Sequence, residues 1–246
     1  MYKRQLSISK DGKHPLNGKV KQIRQQSKPF NFGKPGGMGD ATLLKTTRKA
    51  LGRKDFAKLE LTEATAAKVS KEWRATWPEM DQHFWRIEKM VNASPNGRAS
   101  VETLFTGRIR GNATFCATAN NGFQALGSDC AKNAVWLLAK AAYVDPGSPL
   151  FNSRPNIFVH DEVIAETPYA PDATGVDIRA HNAAVDLGRV MVNGANVFLP
   201  DVPIAYSRMA PVMMRRWYKK AESVFVDHPT HGRVLVPWEP EEKPAV

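Results

Sequence analysis

Between residues 113 and 144 the chain is Ala-rich with apolar residues at helical spacing, and Asp145-Pro146-Gly147-Ser148-Pro149 ends that stretch. This predicts one long helix, best supported from Asp129 to Tyr143, because two prolines and a glycine cannot carry the hydrogen-bond ladder onward. It is not a membrane span. Its longest apolar part, Ala134 to Val144, is interrupted by Lys140 and falls short of the roughly 20 residues that a bilayer requires.

Upstream, helical spacing covers Leu43 to Leu51 and Thr62 to Val91, the second stretch broken at Trp77-Pro78. Thr62 reads as an N-cap, with Thr65 where a capping box wants Glu or Gln, so the box is expected to be incomplete. Phe84, Trp85, Ile87, Met90 and Val91 are the expected buried face of the second helix of this pair. The turn signal Ser94-Pro95-Asn96-Gly97 precedes a short strand over Val101 to Phe105, and a boundary is placed there, giving regions 1–98 and 99–246.

Downstream, Asn156 to Val159 and Val163 to Glu166 are β-prone runs flanking His160-Asp161-Glu162, the pattern of a tight hairpin. Helices are expected over 177 to 191 and 209 to 222. A terminal hairpin is expected from Ser223–Val226 and Arg233–Val236 around Pro229 and Gly232, with the last eight residues frayed. Helices followed by short strand pairs predict an α+β fold.

The formal net charge is +11, and residues 1 to 34 alone hold nine basic residues against one acid, Asp11. Such a run is either a solvated arm or a surface that neutralises phosphates, and charge leaves both readings open. At 42% hydrophobic residues the chain is not compositionally disordered. Two cysteines, Cys116 and Cys130, cannot build a disulfide framework or a four-cysteine zinc site, so a reducing compartment is expected. With no secretory pattern at the N-terminus and no span, the expected location is the cytoplasm, with no membrane partner. His228 and His231 have ligand-like spacing but nothing nearby to complete a site, and a surface loop is expected there. Ser153, Ser207 and Ser223 lack a nucleophile-elbow context.

Two local patterns carry chemistry. Arg24, Lys28 and Phe32 stand at i, i+4 and i+8, so a helix would line up two cations and one ring along nearly one face, suited to a triphosphate and a sugar or base. Behind them, Gly33-Lys34-Pro35-Gly36-Gly37-Met38-Gly39 has four glycines in seven residues, which would end the helix and let backbone approach a ligand. It lacks the Gly-Lys-Ser/Thr of a Walker A loop. The second pattern is His160-Asp161-Glu162, whose hairpin tip would present carboxylates suited to a hard cation such as magnesium.

Taken in order, these blocks resemble the family A DNA polymerases, the DNA polymerase I type, and especially their bacteriophage members. Arg24-Gln25-Gln26-Ser27-Lys28-Pro29-Phe30-Asn31-Phe32-Gly33 looks like motif B of the fingers helix. Asn120-Asn121-Gly122-Phe123-Gln124, running on to Gly127-Ser128-Asp129, is similar to the palm helix that meets the primer-template minor groove. Val159-His160-Asp161-Glu162 matches motif C, and Leu199-Pro200-Asp201-Val202-Pro203 with Trp217-Tyr218-Lys219-Lys220-Ala221 resembles the close of phage-type members.

The resemblance implies that Arg24 and Lys28 hold the phosphates of an incoming deoxynucleoside triphosphate and that Phe32 stacks against its sugar and base. It further implies that Asn120, Gln124, Arg108 and Arg110 contact primer-template DNA, that His160 lies near the primer terminus, and that Asp161 holds catalytic Mg2+ with Glu162 in support. The family's other essential aspartate, in an Asp-x-Ser-Gln-Ile-Glu segment called motif A, is not found before motif B. The expectation is therefore a helical fingers subdomain plus a partial palm with a small antiparallel sheet, with motif A supplied by a second chain in a bacterial or phage-infected cell. An inert DNA-binding module or a remnant is the alternative. Two departures from the family stand out: Gly36 occupies the place of a common tyrosine, and Pro29 is expected to kink the motif B helix. A hairpin without its third strand is further expected to leave the chain poorly stable or self-associating.

Overall fold

The computed structural model describes residues 15–57, 61–160, 162–209 and 211–240. Among the described residues the fold is α+β, with six α-helices and seven short strands. The chain divides into two compact units, Met1–Gln124 and Ala125–Val246.

In the first unit, helix α1 (Asn17–Gly33) continues through Pro29. Proline removes one ladder donor, and this helix ends one turn later in any case. Helix α2 (Asp40–Ala57) is bent at Gly52, whose φ of 75° is a left-handed value that other residues rarely adopt. Helix α3 (Glu63–Thr76) and helix α4 (Glu79–Asn92) are separated at Trp77-Pro78 as the sequence predicts.

The start of α3 corrects one expectation. The capping box is complete, because the Thr65 hydroxyl accepts from the Thr62 amide at 2.7 Å while the Thr65 amide donates to the Thr62 hydroxyl at 3.3 Å. A threonine side chain here does the work usually given to Glu or Gln. The buried side of α4 also differs. Met80 and Ile87 are buried and His83 and Phe84 are half-buried, whereas Trp85 and Met90 are exposed. Residues 80, 83, 84, 87 and 91 form the i, i+3, i+4, i+7 stripe of one helix face, and Trp85 and Met90 fall beside it.

Strand β1 (Ala99–Glu102) pairs antiparallel with β2 (Ile109–Ala113), with Val101 opposite Arg110. The expected strand over Val101–Phe105 is therefore shifted towards the N-terminus, and Leu104 and Phe105 sit in an exposed turn. Helix α5 (Phe115–Tyr143) is longer than its best-supported part, starting directly after β2. Its first turns belong to the first unit and the remainder to the second.

In the second unit, β3 (Arg154–Val159) and β4 (Glu162–Glu166) form the antiparallel hairpin expected from the sequence, with Val159 opposite Glu162. Helix α6 (Ile178–Asn196) is capped by Asp177, whose carboxylate accepts from the Ala180 amide at 3.0 Å. The helix expected over 209–222 does not form. A 3-10 turn at Tyr206–Arg208 precedes that stretch, which itself holds a strand β5 (Met213–Met214) that pairs parallel with β7 (Gly232–Trp238). Pro211 cannot donate to a helix ladder, and the β7 edge takes the backbone of Met213 and Met214 instead. Strand β6 (Val224–His228) pairs antiparallel with β7, so this sheet has the order β5-β7-β6. Gly232 turns the β6–β7 hairpin with a φ of 67°. The frayed end expected for the last eight residues lies, from 241 onward, outside the described residues, as do residues 1–14 of the basic arm.

Two apolar clusters organise this unit. Leu138, Leu150 and Ala183 pack with Val163 of β4, which fastens the β3–β4 hairpin to α5 and α6. Ala180, Met213 and Leu235 pack with Tyr169 and Phe225, joining α6 to the three-stranded sheet.

Candidate functional site

The expected site residues divide between the two units. In the first, Lys28 and Phe32 lie four residues apart on α1 and both are exposed, Phe32 to 74%. A phenylalanine this exposed contributes little to a core. The Arg24 side chain is outside the described residues.

The glycine-rich run after α1 packs against protein. The Lys34 amide donates to Phe30 O at 3.0 Å, the Gly37 amide to Lys34 O at 2.9 Å and the Met38 amide to Gly33 O at 3.1 Å, which closes the helix end. A Cβ placed on Gly37 would meet the Phe115 ring at 2.6 Å, and one on Gly36 would stand 3.5 Å from the Asn120 side chain. The backbone approach that these glycines permit is thus made to the first turns of α5, where the sequence suggested a ligand.

Lys34 departs from the basic-arm reading in the same way. It is buried, and its ammonium donates to Asp40 Oδ1 at 2.6 Å and to Met38 O at 3.2 Å. The Asp40 carboxylate also accepts from the Ser70 hydroxyl. The Lys34 bond, with the Ser70 bond next, holds the Asp40 carboxyl below the usual carboxylate range. One cation of the arm is therefore a structural partner inside the unit and is spent before any phosphate arrives.

Asn120 and Gln124 occupy positions i and i+4 of α5, Asn120 half-buried and Gln124 exposed. Between them, Asn121 is buried, and its side-chain nitrogen has no hydrogen-bond partner among the described residues. Sequence reading placed Asn121 inside the motif without a role, and only burial separates it from its neighbours. His83 supports this turn: its Nε2 lies 3.3 Å from Ala119 O, and its ring meets Phe123 edge-on at 5.6 Å. Arg108, in the β1–β2 turn, and Arg110, on β2, are both exposed.

In the second unit, His160 and Glu162 are exposed at the end of the β3–β4 hairpin. His160 has a φ of 57°, the left-handed conformation that two-residue hairpin turns require, so the sharp reversal carries a histidine in place of the usual glycine or asparagine. Asp161 lies outside the described residues. Among the described residues no three His, Cys, Asp or Glu side chains converge on a point that could hold a metal. Glu162 alone does not make a magnesium centre, and two-ion chemistry requires further carboxylates. Beside the tip, Ile157, Phe158 and Val159 of β3 are all close to half exposed, and among the described residues β3 pairs only with β4.

Cys116 is exposed and Cys130 buried, both on α5, and burial pushes the Cys130 thiol up. His228 corrects the surface-loop reading, because its side chain is only 8% exposed. Its Nδ1 accepts from the amides of Thr230 and His231 at 3.2 and 3.3 Å, and its Nε2 lies 3.6 Å from Asp172 Oδ2. It is a turn-forming residue at the β6–β7 connection. Among the described residues no helix is long and apolar enough to cross a membrane.

Compared with protein-family models, with curated proteins and with solved structures, the chain matches none.

Proposed function

We propose that this chain is the fingers and second palm half of a family A DNA polymerase, acting in template-directed DNA synthesis at a primer 3′ end. The observation that supports it most is the Val159–Glu162 segment, which forms the tip of an antiparallel hairpin with His160 in a left-handed turn. A motif C reading requires that geometry. Secondary support comes from α1, where Lys28 and Phe32 share an exposed face.

In this reading Arg24 and Lys28 neutralise the phosphates of a deoxynucleoside triphosphate, Lys28 as a point charge and Arg24 as a planar fork. Phe32 supplies a flat wall to the sugar and base. Asn120 and Gln124 donate to minor-groove acceptors near the primer end, and Arg108 and Arg110 add phosphate contacts. His160 orients the primer terminus. Asp161 and Glu162 are the chain's share of a Mg2+ site whose remaining carboxylate, that of motif A, comes from outside these 246 residues.

Ternary-complex formation tests this assignment. With primer-template present, the deoxynucleotide complementary to the template should raise affinity for the chain above that seen with a mismatched one. Lys28→Ala should weaken nucleotide binding about tenfold, the size of one charge-assisted hydrogen bond. Equal binding of matched and mismatched nucleotides would favour the inert DNA-binding module.

A further inference from the structure

The connection between β5 and β6 reads Arg215-Arg216-Trp217-Tyr218-Lys219-Lys220, four cations around two aromatic rings. All six residues are exposed, Trp217 to 55% and Tyr218 to 48%. Two adjacent exposed rings rimmed by cations form a patch of the kind that marks an interaction surface.

The sheet fixes one of these rings. β5 ends with Met214 opposite Trp238 of β7, and the Tyr218 amide donates to Met214 Sδ at 3.1 Å, which folds the connection back on itself. The Tyr218 ring then lies nearly parallel to Trp238, with centroids 5.1 Å apart and planes 6° apart. A ring stacked on a ring that a strand holds in place is a pre-organised flat platform.

The cations differ in what they have left to offer. Arg215 is engaged, its Nε donating to Glu239 at 2.8 Å and its guanidinium lying 5.6 Å from the Tyr169 ring centre. Arg216, Lys219 and Lys220 make no ion pair among the described residues, which leaves their charge for a polyanion. Phosphates spaced along a strand suit separated cations, and an unpaired base offers a π face to Trp217 or to the Tyr218–Trp238 stack. A duplex hides those faces. A membrane surface also attracts Trp, Tyr and Lys, but it is met by an amphipathic helix with an apolar face, and this connection is not helical.

We propose that the Arg215–Lys220 connection, with Trp238, is a binding platform for single-stranded nucleic acid. This goes beyond the polymerase reading, since it needs neither Asp161 nor catalysis, and either can fail alone.

The test is fluorescence anisotropy of the full chain with a labelled short oligo(dT), alongside a blunt duplex of the same length. Trp217→Ala should weaken oligo(dT) binding about tenfold, as loss of one stacked base predicts, with Trp217→Phe close to wild type and the duplex unaffected. Arg216→Gln/Lys219→Gln/Lys220→Gln should weaken it too and flatten its salt dependence by about two counterions. A bromodeoxyuridine oligonucleotide should photo-cross-link to a peptide containing Trp217. Because these side chains are exposed, thermal melts should be unchanged; if Trp217→Ala does not fold, the cation variant and the cross-link decide. Unchanged oligo(dT) affinity, equal loss on duplex, cross-links confined to other peptides, or tighter binding to phosphatidylserine vesicles than to oligo(dT) would each overturn the proposal.

Discussion

Gly194 lies so close to Ala134 that a Cβ on it would stand 2.6 Å from the Ala134 Cα and 2.8 Å from its amide nitrogen. Helices α5 and α6 touch backbone to backbone there. The contact is held by the Asn133 side-chain amide, which donates to Gly194 O at 2.8 Å, and by the Cys130 thiol, which donates to Ala195 O at 3.5 Å. Backbone atoms cannot move aside as the end of a flexible side chain can, so this crossing admits only glycine.

Gly194→Ala should therefore destabilise the chain by about 1–3 kcal/mol, the usual cost of overpacking. A thermal melt should show it as a lower midpoint. Gly18→Ala, at a glycine with nothing within 4 Å of an added Cβ, is the control and should leave the midpoint at or slightly above wild type.

The Lys34–Asp40 pair sets an acid limit for the first unit. The Asp40 carboxyl is held below its ordinary value chiefly by the Lys34 bond and then by Ser70, so the folded state binds its proton less readily than the unfolded chain. Its stabilisation is complete above the ordinary carboxylate value and is lost as pH falls through the lower folded value. Wild type should exceed Asp40→Asn in urea midpoint at pH 7, and the gap should close only below about pH 4. A gap that closes already at pH 6 would contradict this origin.

His181 sets a second, higher limit in the second unit. Its Nδ1 accepts from the Leu235 amide at 2.9 Å, a bond that only the neutral ring can make, and burial pushes its pKa down. The folded state thus holds fewer protons than the unfolded chain, and stability is full above the ordinary histidine value and declines as pH drops below it. Between pH 7 and 5.5 the urea midpoint of wild type should fall more than that of His181→Asn, which has no such proton to gain.

The exposed apolar residues of β3 bear on association. Ile157, Phe158 and Val159 face solvent in part, on a strand whose other edge has no partner among the described residues. Open edges of this kind pair with other chains. Sedimentation velocity should show concentration-dependent association, and Phe158→Lys should reduce it; a concentration-independent monomer in wild type would refute the idea.

How far the sequence carried the fold depends on where each element draws its stability. Trp77-Pro78, Asp145–Pro149 and Gly232 act locally, and the breaks they predict are found. The 209–222 stretch has helical spacing in Met209, Met213 and Trp217, yet Met213 and Met214 pair with Pro237 and Trp238, a partner far along the chain that no local pattern announces. Strand β2, Ile-Arg-Gly-Asn-Ala, has almost no β signal of its own and exists because β1 pairs with it. At the candidate sites, the exposure of Lys28 and Phe32 agrees with their spacing on a helix. The inward turn of Lys34 was illegible, since a lysine in a basic run looks the same whether it meets solvent or Asp40.

Primer extension with magnesium and deoxynucleotides, using the purified chain alone and then with a polypeptide carrying the motif A strand, decides whether the chain is part of a polymerase. Product should form only in the mixture, abolished by Asp161→Ala and reduced about tenfold or more by Phe32→Ala, the loss of one stacking contact. No product in the mixture while primer-template remains bound, or product from the chain alone that survives Asp161→Ala, would contradict that reading.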